Sequence, residues 1–279
     1  MNTTEQVPLR QIGFFFVALL ALLCGLPLHA AEPALLLQPE ALAAVYSGQE
    51  TMRFSISWSG GIKIGDLRLS LAPAASGGGQ VITARVTDYG IFRAVYPVDD
   101  TFATLISGPL KLPRRYDVLQ IERGKTVRRL TRYDQRTFTA SYRKQEQATE
   151  TFALAGPVYN EFSAFFITRA LRLDQAGQQQ RVPVFADKKR HLVPIKVLGR
   201  ERRNSLFGTV PTLKVQPKMA FKGLYDKDGD TVFWLTDDAC RIPVEIRSKI
   251  LIGSLVAELV EYSSPACPQR LNSASPPGR

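Results

Sequence analysis

The stretch YDKDGDTVFWLTDDACRIPVEI, Tyr225 to Ile246, sets Asp226, Asp228, Asp230, Asp237 and Asp238 within thirteen residues. Acids at this density serve a calcium loop, a pair of catalytic carboxylates, or the turn of a β-hairpin. An EF-hand would use Asp226, Asp228, Asp230 and Asp237 as positions 1, 3, 5 and 12. The position that demands glycine is Thr231, the glycine present is Gly229, and position 12 should be Glu. The flank TVFWLT alternates like a strand, where an EF-hand loop must run into a helix. The reading that remains is a hairpin turn relaxed at Gly229, with its acidic side chains in water.

Other acid–base and nucleophilic designs find little support. Asp237-Asp238 and Asp99-Asp100 are adjacent pairs, and neighbours on a strand point to opposite faces. Neither pair alone can therefore flank a glycosidic bond as hydrolysis requires. One histidine, His191, remains outside the N-terminal leader, in the basic turn DKKRHL. The G-x-S-x-G, H-E-x-x-H and G-x-x-x-x-G-K patterns are absent. With a single histidine no metal cluster can be assembled, so no metal and no cofactor is expected. An enzyme built from Asp, Glu, Tyr and Lys is left open.

Positive charge is concentrated instead. From Lys111 to Lys144 eleven basic residues, among them Arg128, Arg129 and Arg132, face three acids, Asp117, Glu122 and Asp134. Smaller groups are Lys188, Lys189 and Arg190, then Arg200, Arg202 and Arg203. Such residues on strands block edge pairing. They also fit a surface for anionic partners: phospholipid headgroups, lipopolysaccharide or acidic glycans.

The compartment follows from the N-terminus. Polar residues with Arg10, the apolar run Ile12 to Leu28, Pro27 and the small pair Ala30-Ala31 form a secretory signal peptide. The alternative is an uncleaved anchor, since about 17 apolar residues is the lower edge of spanning length. Pro27 and the alanines favour cleavage, which predicts a periplasmic protein and makes nucleic acid a poor partner. Removing residues 1–30 also removes Cys24 and leaves Cys240 and Cys267. Two thiols in an oxidising compartment predict a disulfide. It would close a loop of about 27 residues and contribute roughly 3–4 kcal/mol.

Period-2 alternation runs through what remains. In TMRFSISW, Met52, Phe54, Ile56 and Trp58 share one face. The next strand changes phase near Gly65, which predicts a β-bulge there. TFTASY sets Phe138, Ala140 and Tyr142 on one face. One segment is helical: NEFSAFFITRALRL, Asn160 to Leu173, spaces Phe162, Phe165, Phe166, Ala170 and Leu173 on one side behind Asn160 as N-cap. A shorter helix is predicted over Pro39 to Ala44. The expected organisation is a lead segment 31–47, one β-rich domain 48–263 and a loose tail 264–279. The fold class is mainly β, with curved antiparallel sheets, half-barrel or sandwich-like, and one main amphipathic helix packed on the sheet. Alternating strands need a cover on their apolar face, supplied either by a second sheet or by one curved sheet wrapping the helix.

The segments NEFSAFFITRALRL, MRFSISWSGGIKIGDLRLSL and KGLYDKDGDTVFWLTDDACRIPVEIRSKILIGSLVAELVEY resemble the bacterial domain of unknown function 3108. The likeness lies in the order of a strand ending in Trp234, the Asp237-Asp238 pair, the strand Arg241 to Val244 and the strand Gly253 to Leu259. It covers most of the chain beyond the leader. It implies export and curved antiparallel sheets, and it carries no catalytic residues over, because that family has no assigned activity.

The expected function is therefore non-enzymatic binding in the cell envelope. A lipid-like or other amphiphilic anionic ligand, lipid or glycan, would lie on an apolar sheet face. Phe54, Trp58, Phe138, Tyr142, Phe162, Phe166 and Trp234 are the candidates for that surface, and Arg128, Arg129 and Arg132 for the charge, with contact to a membrane surface. An envelope assembly factor that binds another protein, and a polysaccharide-active enzyme using carboxylates, are the competing classes. A cavity inside the sheet favours the first, a filled core with an open edge the second. A cleft with two carboxylates about 5–9 Å apart favours the third.

Overall fold

The structure, a computed structural model, describes residues 34–90, 93–94, 97–218, 231–250 and 253–268. The leader, the tail beyond residue 268 and the acidic stretch with Asp226, Asp228 and Asp230, expected to be a hairpin turn, lie outside the described residues.

Alternation produces fourteen strands among the described residues. They are β1 (Glu50–Trp58), β2 (Ile62–Pro73), β3 (Gln80–Asp88), β4 (Asp99–Ser107), β5 (Leu112–Glu122), β6 (Lys125–Asp134), β7 (Thr139–Lys144) and β8 (Glu150–Ala153), followed by β9 (Gln179–Ala186), β10 (Lys189–Ser205), β11 (Gly208–Pro217), β12 (Thr231–Thr236), β13 (Pro243–Lys249) and β14 (Ser254–Ser263). All belong to one antiparallel sheet in the order β8 to β1 followed by β14 to β9. Two meanders, β1–β8 and β9–β14, are thus joined by the pairing of β1 with β14. The bulge expected near Gly65 is present: Ile56 pairs with Gly65 and Ser57 with Lys63, leaving Ile64 extra.

The outer strands β8 and β9 are neighbours in the chain, and the sheet curls until they approach. Phe152 and Phe185 stand 5.5 Å apart between ring centroids. The segment after β8 bonds to β9, Tyr159 N to Pro183 O at 2.8 Å and Phe185 N to Tyr159 O at 2.8 Å. No ladder joins β8 to β9, so the sheet is curled but not closed into a barrel.

Two helices are present among the described residues, α1 (Pro39–Val45) and α2 (Glu161–Arg169). The predicted cap of the second is in place. Asn160 Oδ1 accepts from Ser163 N, and Ser163 Oγ accepts from Asn160 N, each at 2.9 Å. Reciprocal bonds of this kind satisfy two orphan donors of the first turn. Phe162, Phe166 and Ile167 are buried against the concave side of the sheet, with Phe162 5.1 Å from the Phe102 ring. Burial of each such side chain contributes about 1.5–3 kcal/mol. The helix therefore fills the furrow of one curled sheet, which decides between the two ways of covering the apolar face.

Candidate functional site

The helix fills the furrow only in part. Beyond its N-terminus the inner faces of β4 to β7 and the β9–β10 turn enclose a cavity of about 510 Å³. Strand alternation supplies its walls: Phe102 from β4, Tyr116, Val118 and Gln120 from β5, Arg129, Thr131 and Tyr133 from β6, and Tyr142 from β7. Glu161, the first residue of α2, and Phe185, Ala186, Asp187 and Lys188 complete it. Asp187 and Lys188 form a two-residue turn with both φ angles positive, +49° and +60°. Side-chain-bearing residues take that conformation at a cost of about 1–3 kcal/mol each, a strain that clusters at ligand sites.

Aromatic rings occupy one end and charges the other. At the charged end Gln120 is the hub: it accepts from Arg129 and donates to Asp100 Oδ2 at 2.9 Å and to Glu122 at 3.2 Å. Burial raises the Asp100 carboxyl, offset by the Gln120 bond and by the Ile121 amide at 3.0 Å. Lys188 pairs with Glu150 at 2.7 Å, and its ammonium lies 5.0 Å from the centre of the Tyr142 ring. Burial pushes the Glu161 carboxyl up to about 7, with Asp187 adding to the rise and Arg129 and Tyr116 opposing it. One carboxylate oxygen of Glu161, Oε2, is buried without a hydrogen-bond partner. Burial likewise raises the Tyr116 and Tyr133 phenols, and the Glu161 charge adds to both.

The residues singled out in sequence are dispersed. Arg129 and Tyr142 face the cavity, and Phe162 stands just behind its wall against Phe102 and Tyr116. Phe54 and Phe166 are fully buried in the core. Trp58 is exposed, and Phe138 is exposed in a turn with φ of +52°, outside β7. Trp234 is buried on the convex face, where Arg203, Lys214 and Arg247 cover its ring and Glu201 accepts from its Nε1 at 2.5 Å. Alternation along β6 turns Arg128 and Arg132 to the convex side, away from Arg129. Arg128 lines a second, shallower basin of about 860 Å³ with Arg115 and Arg143, and Val118 and Arg129 border both hollows. Glu161, Tyr116, Tyr133 and Asp187 were not anticipated. An acid at the first helical position is what the helix dipole favours anyway, so Glu161 carried no signal of its own.

The aspartate pairs behave as strand geometry requires. Asp99 points outward to Arg85 at 2.8 Å while Asp100 points inward. Asp237 pairs with Arg200 at 2.7 Å, and Asp238 Oδ1 accepts from the Cys240 amide at 3.0 Å and Thr236 Oγ1 at 2.7 Å, tying a turn. Among the described residues no group of acids, histidines and cysteines could hold a metal ion, and no helix is long and apolar enough to cross a membrane. Cys240 and Cys267 are joined in the expected disulfide.

Comparison with known proteins places this architecture. The profile of the family described as "Protein of unknown function (DUF3108)" matches residues 53–260. The chain belongs to the DUF3108 family. The DUF3108 match runs from Arg53 in β1 to Val260 in β14, so it contains every residue that lines the cavity, while α1, Glu50 and Cys267 fall outside it. Among solved structures, the chain is similar to the β-barrel-like protein of domain of unknown function DUF1849 from Brucella abortus. The TM-score is 0.55 at 9% identity, over 77% of this chain and 97% of that one, a likeness of fold alone. No curated protein matches the sequence.

Proposed function

We propose that this DUF3108 protein is an exported, non-enzymatic binding protein of the cell envelope that holds an amphiphilic ligand in the concave cavity. The observation that carries the reading is the cavity itself, aromatic at one end and ending on Arg129. Its volume of about 510 Å³ lies within the roughly 300–1,000 Å³ range of small-molecule sites. The ligand's apolar part would lie along Phe102, Tyr116, Tyr133 and Phe185, and its anionic group would meet Arg129. The guanidinium is bonded to Gln120, and its charge reaches the Glu161 carboxylate across the cavity. The signal pattern at the N-terminus supports a periplasmic location.

The test is native mass spectrometry on protein purified from the periplasm, with solvent extraction of whatever accompanies it. A discrete added mass that extracts as an amphiphile, and is lost in Arg129→Ala, is the expected result. A bare polypeptide mass, together with no binding of added lysophospholipid, would overturn the reading.

A second reading has one observation in its favour. Glu161 titrates at about 7 in a cavity that Asp187 also lines. Such a carboxyl could act as general acid on a glycan. Release of reducing ends from an envelope polysaccharide, abolished by Glu161→Gln, would establish it.

A further inference from the structure

The charges that line the cavity balance. Arg129 and Lys188 are cations, and Glu161 and Asp187 are acids. A site for a purely anionic group would show an excess of positive charge, and this one does not once Glu161 is ionised.

The acids around it differ in one respect. Asp100 accepts from Gln120 and from the Ile121 amide, Glu122 accepts from Gln120, and Glu150 accepts from Lys188. Glu161 is hydrogen-bonded to the Tyr116 hydroxyl, and its other oxygen, Oε2, is left buried with no donor. Such an atom carries a desolvation cost until a donor reaches it. Its neighbours are the phenol rings of Tyr116 and Tyr133, with Arg129 on β6 and Asp187 and Lys188 at the β9–β10 turn as the other charged groups. A carboxylate set among aromatic rings recognises an ammonium, through the ion pair and through the negative face of each ring. The wall already contains one example, since the Lys188 ammonium sits 5.0 Å over the Tyr142 ring and pairs with Glu150.

We propose that the ligand's polar end is zwitterionic: an ammonium group seats at Glu161 between Tyr116 and Tyr133, and an anionic group of the same molecule seats at Arg129. The inference rests on the reading of the cavity as an amphiphile site and names the chemical class of the headgroup. Glu161 is then the residue that distinguishes a zwitterionic headgroup from an anionic one with the same chain.

The experiment uses two lysophospholipids with the same lauroyl chain, kept below micelle formation. One carries phosphoethanolamine, the other phosphoglycerol. Titration calorimetry at neutral pH is expected to show the ethanolamine lipid binding about tenfold more tightly or better, as a desolvated cation–π contact and ion pair allow. Seating the ammonium favours the ionised carboxylate, so binding of that lipid releases a fraction of a proton. The fraction is measured by repeating the titration in buffers of different ionisation enthalpy, and needs no variant. In Glu161→Gln the affinity ratio falls to near one and proton release disappears. Equal binding of both lipids by the wild-type protein, or a preference that survives in Glu161→Gln, would overturn the ammonium assignment while the amphiphile site stands. Binding of neither lipid would overturn the amphiphile reading and this inference with it.

Discussion

Arg169 and Glu50 form a two-pronged ion pair in the interior: Nη1 to Oε2 and Nη2 to Oε1, both at 2.7 Å. The side chains are 0% and 3% exposed. The pair ties the last turn of α2 to the first residue of β1, and further hydrogen bonds brace it. Arg169 Nε donates to Arg241 O at 3.0 Å, Nη2 also reaches Cys240 O at 3.2 Å, and Tyr262 donates to Glu50 Oε1 at 3.1 Å. Breaking a buried pair strands one charge, at a cost of about 3–5 kcal/mol, whereas replacing both partners by apolar groups costs far less. Arg169→Met alone and Glu50→Leu alone should each destabilise by about that amount in urea, and the double variant by less than either. Additive losses would show that the pair acts through something other than mutual neutralisation.

The disulfide should be the second large contribution. Cys240 and Cys267 are 27 residues apart and both buried, so the bridge holds the segment after β14 against the β12–β13 connection. The chain-entropy relation gives about 3.5 kcal/mol for such a loop. Cys240→Ala with Cys267→Ala should lower the urea midpoint accordingly, and reduction of the wild-type protein should match it. Because Cys240 O also accepts from Arg169, the loss should partly overlap that of Arg169→Met.

What was legible in the sequence was local. The bulge at Gly65, the Asn160 cap and the opposed faces of Asp99 and Asp100 all follow from neighbours a few residues apart. The cavity is not local, because Glu161, Tyr116, Tyr133 and Asp187 meet only when the sheet curls and brings β9 back to β6 and β8. The strands that form the seam, β8 with four residues and β9 carrying Pro183, lacked clear alternation and were not anticipated. Arg128, Arg129 and Arg132 show the opposite failing. They look clustered in the chain, yet period 2 along β6 puts Arg129 on one face and its companions on the other. Phe138 likewise continued an alternation that the chain abandons for a turn.

The two tryptophans give a direct check on which face carries which ring. Trp234 is 4% exposed beneath Arg203, Lys214 and Arg247, whereas Trp58 is 37% exposed. In Trp234→Phe the remaining emission should shift to the red and be readily quenched by acrylamide. In Trp58→Phe it should be blue-shifted and protected. Trp234→Phe also removes the indole donor to Glu201 and should cost about 2 kcal/mol. Equal quenching of the two variants would contradict the convex cover over Trp234.

The cavity should also register in the pH dependence of stability. The ordinary value for the Glu161 carboxyl is 4.5, and in the folded protein burial raises it to about 7. The folded state therefore binds this proton more tightly than the unfolded chain, and stability must fall as pH rises between those values. The contribution is fully present below about pH 4.5 and is lost as pH passes about 7. Glu161 as a whole is half-buried although its Oε2 is fully enclosed, which limits the contribution to about 2 kcal/mol, below what the full shift would imply. Asp100, also raised by burial, adds to the same slope at its acid end. Glu161→Gln removes the Glu161 part alone. Urea unfolding at pH 5 and pH 8 should show the variant close to wild type at the lower pH and more stable than wild type by about 2 kcal/mol at the higher. A difference between the two proteins that does not change with pH would show that Glu161 titrates as an ordinary surface acid.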